Sequence, residues 1–261
     1  VAARMGEVDR SEDLLKRVLE LKPDNEPAIM TYVALLQKKG EINQAIGFLE
    51  DTLKDKEDDF NIRMAYARLL TDAKRFYDAR RQFEILSVQA PNNVDVLYAL
   101  GLLYLQVNRL DDAEKYFMRL SKLKKRVFDT NYYMGRIAEE RNELDKASDL
   151  YQGVHGGENY FDARIRLSLI LAKQGEIEQA LSNIRAIEKP KDHNRLILIQ
   201  AEAEILTEQK RYQEAMQVFD NAIDKEKHSD LLYSRAMLAE KMGRLDILET
   251  DLKAILAEEP D

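Results

Sequence analysis

Residues 94–120 read VDVLYALGLLYLQVNRLDDAEKYFMRL, and this stretch decides the fold. Apolar side chains recur every three or four positions on both sides of Asn108, which is the spacing of two amphipathic helices joined by a short turn. Gly101 stands in the first helix, and in the second helix Ala113 is followed four positions later by Phe117. Small residues let two helices approach closely. The stretch therefore predicts a pair of antiparallel helices that cross at these positions.

The small residue, with a bulky apolar residue four positions after it, recurs along the whole chain. Successive small-residue positions are separated by 34, 34, 34, 34, 33, 35 and 33 residues. These positions are Ser11, Ala45, Ala79, Ala113, Ala147, Ala180 and Ala215, and in the last repeat the larger Leu248. A period near 34 residues is the signature of one kind of helix–turn–helix repeat.

With this period, and with Gly101 and Gly135 at equivalent positions of two first helices, the chain resembles the tetratricopeptide-repeat (TPR) family over its full length. The resemblance implies an all-α fold, a right-handed α-solenoid of antiparallel helix pairs. We expect one solenoid over residues 1–261, with a half repeat at 1–25 and full repeats starting near residues 26, 60, 94, 128, 161, 196 and 229. The pattern is cut at both ends, so we expect a fragment of a longer chain. The segment 153–157, GVHGG, predicts that one second helix ends early.

The composition narrows the class of partner. The chain has 48 acidic and 40 basic residues and a formal charge of −8, which disfavours nucleic acid. No run of apolar residues approaches the 18 or more that a membrane-spanning helix needs, so no transmembrane segment is predicted. A protein or peptide is the predicted partner.

Catalytic and metal-binding patterns are missing from the sequence. There is no cysteine, and the three histidines are far apart along the chain. No HExxH motif, phosphate-binding loop or nucleophile elbow occurs. Glu139 and Glu140 are interpreted as solvated charge on a helix face. We predict that the protein is not an enzyme and has no catalytic residues, no metal site and no cofactor.

The predicted binding surface is the face of each first helix that the core does not use. When first helices lie side by side, the fifth position of each repeat and its neighbours share this face. The face is rich in Tyr, Met and Arg, which are enriched at protein interfaces. The predicted partner-binding groove consists of Met30, Met64, Arg68, Tyr98, Leu102, Leu105, Tyr132, Tyr133, Arg136, Ile165, Arg166, Leu169 and Tyr233. The alternative is that some of these side chains pack against the neighbouring first helix and enlarge the core.

Three stretches resemble a narrower group: YMGRIAE at 133–139, GGENYF at 156–161 and LLYSRA at 231–236. They are similar to long proteobacterial TPR lipoproteins of the outer membrane, which act as periplasmic adaptors, some of them for proteases. The resemblance implies a periplasmic protein, attached to the outer membrane at full length, whose partners include a protease and its substrates. The residues alone leave a cytoplasmic location open. They also leave open a structural scaffold that self-associates through its open ends.

Overall fold

Helices account for all the regular secondary structure in the part of the chain that the computed structural model describes, residues 2–187, 192–225 and 228–258. In chain order they are α1 (Ala2–Leu21), α2 (Glu26–Lys39), α3 (Ile42–Asp55), α4 (Phe60–Asp72), α5 (Phe76–Gln89), α6 (Val94–Gln106), α7 (Leu110–Lys122), α8 (Val127–Glu140), α9 (Leu144–Gln152), α10 (Tyr160–Lys173), α11 (Ile177–Arg185), α12 (Asp192–Glu208), α13 (Tyr212–Ile223), α14 (Ser229–Lys241) and α15 (Leu245–Glu258). The predicted all-α fold of helix pairs is confirmed.

The helices pack in consecutive pairs, in which each first helix lies against the second helix that follows it. The chain forms two compact units, Val1–Lys125 and Arg126–Asp261, which we call the N-terminal unit and the C-terminal unit. The N-terminal unit contains α1 to α7, and the C-terminal unit contains α8 to α15. The boundary between the units falls between two repeats. A single solenoid over the whole chain stays a prediction.

The turn inside each full repeat is closed in the same way all seven times. The N–H of the residue immediately before the second helix donates to the carbonyl five residues back, as Glu41 does to Leu36. The residue before it is in the left-handed region, with φ between 55° and 88°. These residues are Gly40, Lys74, Asn108, Asn142, Gly175, Lys210 and Gly243. Glycine and asparagine are the residues that such helix ends favour, so the two lysines are the exceptions.

Lys74 occupies a backbone conformation that glycine adopts freely. Left-handed φ is disfavoured for an ordinary L-residue by roughly 1–2 kcal/mol. We expect Lys74→Gly to raise the free energy of unfolding of the N-terminal unit by about 0.5–1 kcal/mol, because part of the relief is lost to the greater freedom of glycine in the unfolded chain. Urea denaturation followed by circular dichroism measures this. The reverse change, Gly40→Lys, should lower stability, since a Cβ there has nothing within 4 Å and meets only the backbone strain. A loss of stability in Lys74→Gly would contradict the explanation.

The two helices of a repeat approach most closely where a glycine of the first helix faces an aromatic ring of the second. A Cβ atom on Gly101 would lie 2.6 Å from Cζ of Phe117, and one on Gly135 would lie 2.8 Å from Cε1 of Tyr151. Both rings are fully buried. The glycines predicted at the crossing are therefore required by the ring that lies across them.

We expect Gly101→Ala to destabilise the N-terminal unit, although alanine is the better helix former. Overpacking costs about 1–3 kcal/mol, which outweighs the gain of about 0.5–1 kcal/mol in helix propensity. Gly47→Ala is the matched control, because it lies in α3 of the same unit and a Cβ there has nothing within 4 Å. The control should be stabilised. Equal unfolding midpoints in urea for the two variants would be inconsistent with the crossing contact.

Helix α9 ends at Gln152, as the glycine-rich segment after it predicts. Its nine residues compare with thirteen in α7. Beyond it Val154 is fully buried, and Nδ2 of Asn131 donates to the carbonyl of Gly153 at 3.2 Å. The shortened helix is thus tied back to α8 by a side chain of α8.

Candidate functional site

Neighbouring first helices touch within each unit. Helix α2 contacts α4, α10 contacts α12, and α12 contacts α14. Side chains link others: Arg68 Nη2 of α4 lies 3.4 Å from Asp95 Oδ2 of α6. Residues at equivalent positions of these helices therefore share one face in each unit, which we call the first-helix face.

A polar network joins α8 and α10 on the first-helix face of the C-terminal unit. Asp162 Oδ2 accepts a hydrogen bond from the hydroxyl of Tyr132 at 2.6 Å and another from Arg166 Nε at 2.6 Å. Arg166 Nη1 also donates to Glu139 Oε2 at 3.0 Å, and the hydroxyl of Tyr151 donates to the same oxygen at 2.8 Å. The guanidinium of Arg166 therefore bridges two carboxylates, one on each helix.

The surroundings of the network shift the pKa values of its members. Burial and the hydrogen bond to Asp162 raise the pKa of Tyr132 to about 12. Burial, followed by the hydrogen bond to Glu139, raises the pKa of Tyr151. Burial lowers the pKa of Arg166, but its bonds to Asp162 and Glu139 outweigh burial and the net shift is upward. At neutral pH the tyrosines are donors and Arg166 is charged.

The thirteen predicted groove residues fall into six in the N-terminal unit and seven in the C-terminal unit. Three of them are buried: Met64, Tyr132 and Ile165. Half-buried members are Met30, Tyr98, Leu102, Leu105, Tyr133, Arg136, Arg166 and Leu169. Arg68 and Tyr233 are exposed. The half-buried and exposed members are the ones that present side-chain surface to a partner.

In the C-terminal unit the structure brings several predicted residues together. The rings of Tyr132 and Tyr133 meet edge to face with centroids 4.9 Å apart, and Tyr132 is joined to Arg166 through Asp162. Tyr233 stands on α14, and 56% of it is exposed. The group around Tyr132 is a contiguous surface on α8 and α10.

The sequence interpretation of Glu139 as solvated charge is wrong. Glu139 is half-buried and accepts from both Tyr151 and Arg166. Asp162, its counterpart on α10, was also missed as part of the site. Its position four residues before Arg166 is the helical spacing of an ion pair and was the available signal.

In the part of the chain that the structure describes, neither a membrane-spanning helix nor a metal site is found. None of its helices is long and apolar enough to cross a membrane. In the same residues, no three His, Cys, Asp or Glu side chains are grouped so that they would hold a metal ion.

We expect Tyr132→Phe to change how stability depends on pH. The folded pKa of about 12 exceeds the ordinary value near 10, so neutral Tyr132 stabilises the fold fully below pH ~10 and this contribution is lost as the pH rises through 12. Between pH 9.5 and 11.5 the wild type should lose more unfolding free energy than the variant. Urea denaturation at a series of pH values measures both slopes.

Tyr233→Phe is the control for this titration, because Tyr233 is exposed. It should keep the wild-type slope. If both tyrosine variants show the same slope, the hydrogen bond from Tyr132 to Asp162 does not contribute to stability.

Repeated helix pairs with left-handed turns and glycine–aromatic crossings define a helical-repeat protein. Two family profiles described as tetratricopeptide repeat match the sequence, one over residues 2–69 and the other over residues 67–121 and 98–159. Together they span residues 2–159, more than half of the 261 residues. The chain belongs to the tetratricopeptide-repeat family.

A similar protein of known sequence supports this family assignment. The chain is 31% identical over 116 residues to the TPR repeat-containing protein PA4667 of Pseudomonas aeruginosa. The match covers 44% of this chain and about a fifth, 20%, of that relative. The narrower resemblance to outer-membrane lipoproteins is not established by this match.

Solved structures show the same fold at low identity. A tetratricopeptide repeat protein from Parabacteroides merdae is 16% identical with a TM-score of 0.58, over 91% of this chain and 94% of that one. The TPR protein YrrB, described as having an unusual peptide-binding site, is 18% identical with a TM-score of 0.56, over 70% and 94% of the two chains. Pseudomonas aeruginosa pilF is 18% identical with a TM-score of 0.58, over 74% and 90%.

Proposed function

We propose that this protein is an adaptor that binds a peptide or a helix of a partner protein on its first-helix faces. The observation that carries the proposal is the group of half-buried Tyr133, Arg136 and Leu169 beside the α8–α10 network. A half-buried side chain is already partly ordered by its own fold, so it loses less entropy when a partner covers the rest of it. Aromatic residues and arginine are also the types that dominate binding energy at interfaces.

The polar network supports this role by holding α8 and α10 together. Arg166 reaches from α10 to Glu139 of α8, and Tyr132 reaches from α8 to Asp162 of α10. Two crossed links between the same helices restrict their sliding. The apolar surface that a partner would contact is thereby presented on a fixed backbone, as tight binding requires.

The N-terminal unit offers a similar composition on α6. Tyr98, Leu102 and Leu105 are half-buried, and the ring of Tyr98 lies edge to face on Phe117 with centroids 6.5 Å apart. The structural neighbour YrrB, described as a TPR protein with a peptide-binding site, supports a peptide as the occupant. Catalysis plays no part in the proposal, since the TPR family is in general not enzymatic.

We also propose the finer role that the sequence suggests, an adaptor in the periplasm that brings a protease to its substrates. Its support is the resemblance of residues 133–139, 156–161 and 231–236 to outer-membrane TPR lipoproteins, together with a relative from a proteobacterium. The lipid attachment and the outer-membrane location belong to this finer proposal.

Self-association is the second candidate function, and exposed apolar stripes on the outermost helices favour it. On α1 the exposed residues are Leu14, Val18 and Leu21. On α15 they are Leu245, Leu252 and Leu256. Each set repeats at helical spacing, which is the pattern of a face that packs against another helix.

Site-specific photocrosslinking in living cells separates the two candidates. A benzoylphenylalanine is placed at Arg136 on the first-helix face, at Leu256 on α15, or at Val88, which is 78% exposed on α5. The adaptor proposal expects Arg136 to crosslink to a different polypeptide, identified by mass spectrometry, while Val88 does not. Crosslinks from Leu256 to a second copy, with none from Arg136 to another protein, would favour self-association.

Leu169→Ala should reduce the crosslink from Arg136 at least tenfold, because loss of an interface anchor costs on the order of 2 kcal/mol of binding. Met118→Ala, which removes an exposed apolar side chain from α7, should leave it unchanged. Both variants need the wild-type circular dichroism spectrum. An undiminished crosslink in Leu169→Ala would contradict the first-helix site. Crosslinked partners that include no protease would contradict only the finer proposal of a protease adaptor.

A further inference from the structure

A second surface of the C-terminal unit carries a charged group that has no pairing partner among the described residues. Helix α10 packs against both α9 and α11, and a cleft of about 280 Å³ lies between these two second helices. Leu167 and Leu171 of α10 are among its lining residues. Both bounding helices have only nine residues, fewer than the twelve of α13 in the same unit.

Polar side chains line this cleft, and among the described lining residues Arg164 of α10 is the only charged one. The polar lining consists of Ser148 and Gln152 from α9, Arg164 from α10, and Gln179, Ser182 and Asn183 from α11. None of the described lining residues carries a carboxylate, although the chain as a whole is acidic. The cleft is therefore a local positive site on a negative protein.

The guanidinium of Arg164 has no partner in the part of the chain that the structure describes. Its Nε is buried and has no hydrogen-bond acceptor among the described residues, which also supply no ion pair to its side chain. A buried N–H without an acceptor is destabilising, because the group has lost its hydrogen bond to water. Two half-buried arginines of this unit, Arg166 and Arg235, each bond two carboxylates. Arg164 is unlike them in having its donors unused.

The backbone beneath Arg164 is held in place. Nδ2 of Asn183 donates to the carbonyl of Arg164 at 2.9 Å and also to Oγ of Ser168, which ties α11 to α10. Asn183 and Ser168 are both buried. Both N–H groups of the Asn183 amide are engaged, so the donors left for a ligand are those of Arg164, the two glutamines and the two serines.

We propose that the α9–α11 cleft is a binding site for a carboxylate of a protein partner. The two Nη groups of a guanidinium can each donate to one oxygen of a carboxylate. One cation surrounded by neutral donors balances one negative charge, so a monoanionic carboxylate suits the cleft better than a phosphate dianion. The neutral glutamine and serine side chains are suited to the polar backbone of the segment that carries the carboxylate. The site lies between the second helices α9 and α11, with Arg164 supplied by α10, and it does not rest on the first-helix site.

NMR of the arginine side chains tests the proposal directly. The Nε–Hε signal of Arg164, assigned by its disappearance in Arg164→Gln, is followed while acetyl-Gly-Glu-Gly-amide is added to the 15N-labelled protein. A saturable shift is expected. The uncharged acetyl-Gly-Gln-Gly-amide should cause none. A third peptide, acetyl-Gly-Gly-Gly with a free C-terminus, tells whether a terminal carboxylate serves as well as a side chain. The signal of Arg17, which is exposed on α1, is the control for nonspecific effects and should not saturate.

Gln179→Glu is the decisive variant. Gln179 is exposed in the first turn of α11, so the change leaves the fold intact and places a carboxylate of the protein itself within the cleft. It should abolish the saturable shift while Arg164 remains. The proposal is overturned if the variant binds as the wild type does, or if no carboxylate peptide gives saturation. Inorganic phosphate that saturates at lower concentration than either carboxylate peptide would also overturn it.

Discussion

The contact between a glycine of one helix and an aromatic ring of the next is the constraint on which the two central repeats depend. Tyr151 lies fully buried across Gly135, and Phe117 lies in the same way across Gly101. The ring fills the space that a side chain on the glycine would occupy, so the two helices are drawn close and their crossing point is set. The location of this crossing therefore determines where the side chains on the opposite face of the first helix lie.

Tyr151 shows how the crossing is connected to the first-helix face. Its ring packs against Gly135, while its hydroxyl donates to Glu139, which in turn accepts from Arg166 of the next first helix. One residue therefore joins the packing inside a repeat to the polar links between repeats. Because the hydroxyl and the carboxylate are largely shielded from water, each would be costly to leave unpaired, and this favours a single arrangement of the α8–α10 surface.

The fold could be predicted from the sequence because a 34-residue period and helical spacing are local properties, and the turn residues Gly40 and Asn108 are local signals of the same kind. Lys74 escaped prediction because its left-handed conformation is imposed by the hydrogen bonds of the helix end rather than by its own preference. The candidate site was predicted in part. Helical periodicity tells which face a residue occupies, but the bond between Glu139 and Arg166 joins positions on different helices. Whether Tyr132 is buried or offered to a partner likewise depends on how closely α8 and α10 approach.

The uniform turns have a consequence for the way such a chain changes over evolution. Each first helix ends through backbone hydrogen bonds and one left-handed residue, and the side chains of the turn take no part in these bonds. Each repeat thus contains the residues that end its own first helix, and this helix end does not depend on a neighbouring repeat. Duplication or loss of one period of chain leaves the remaining turns intact, so the number of repeats is free to vary while surfaces such as the one around Arg166 diversify independently.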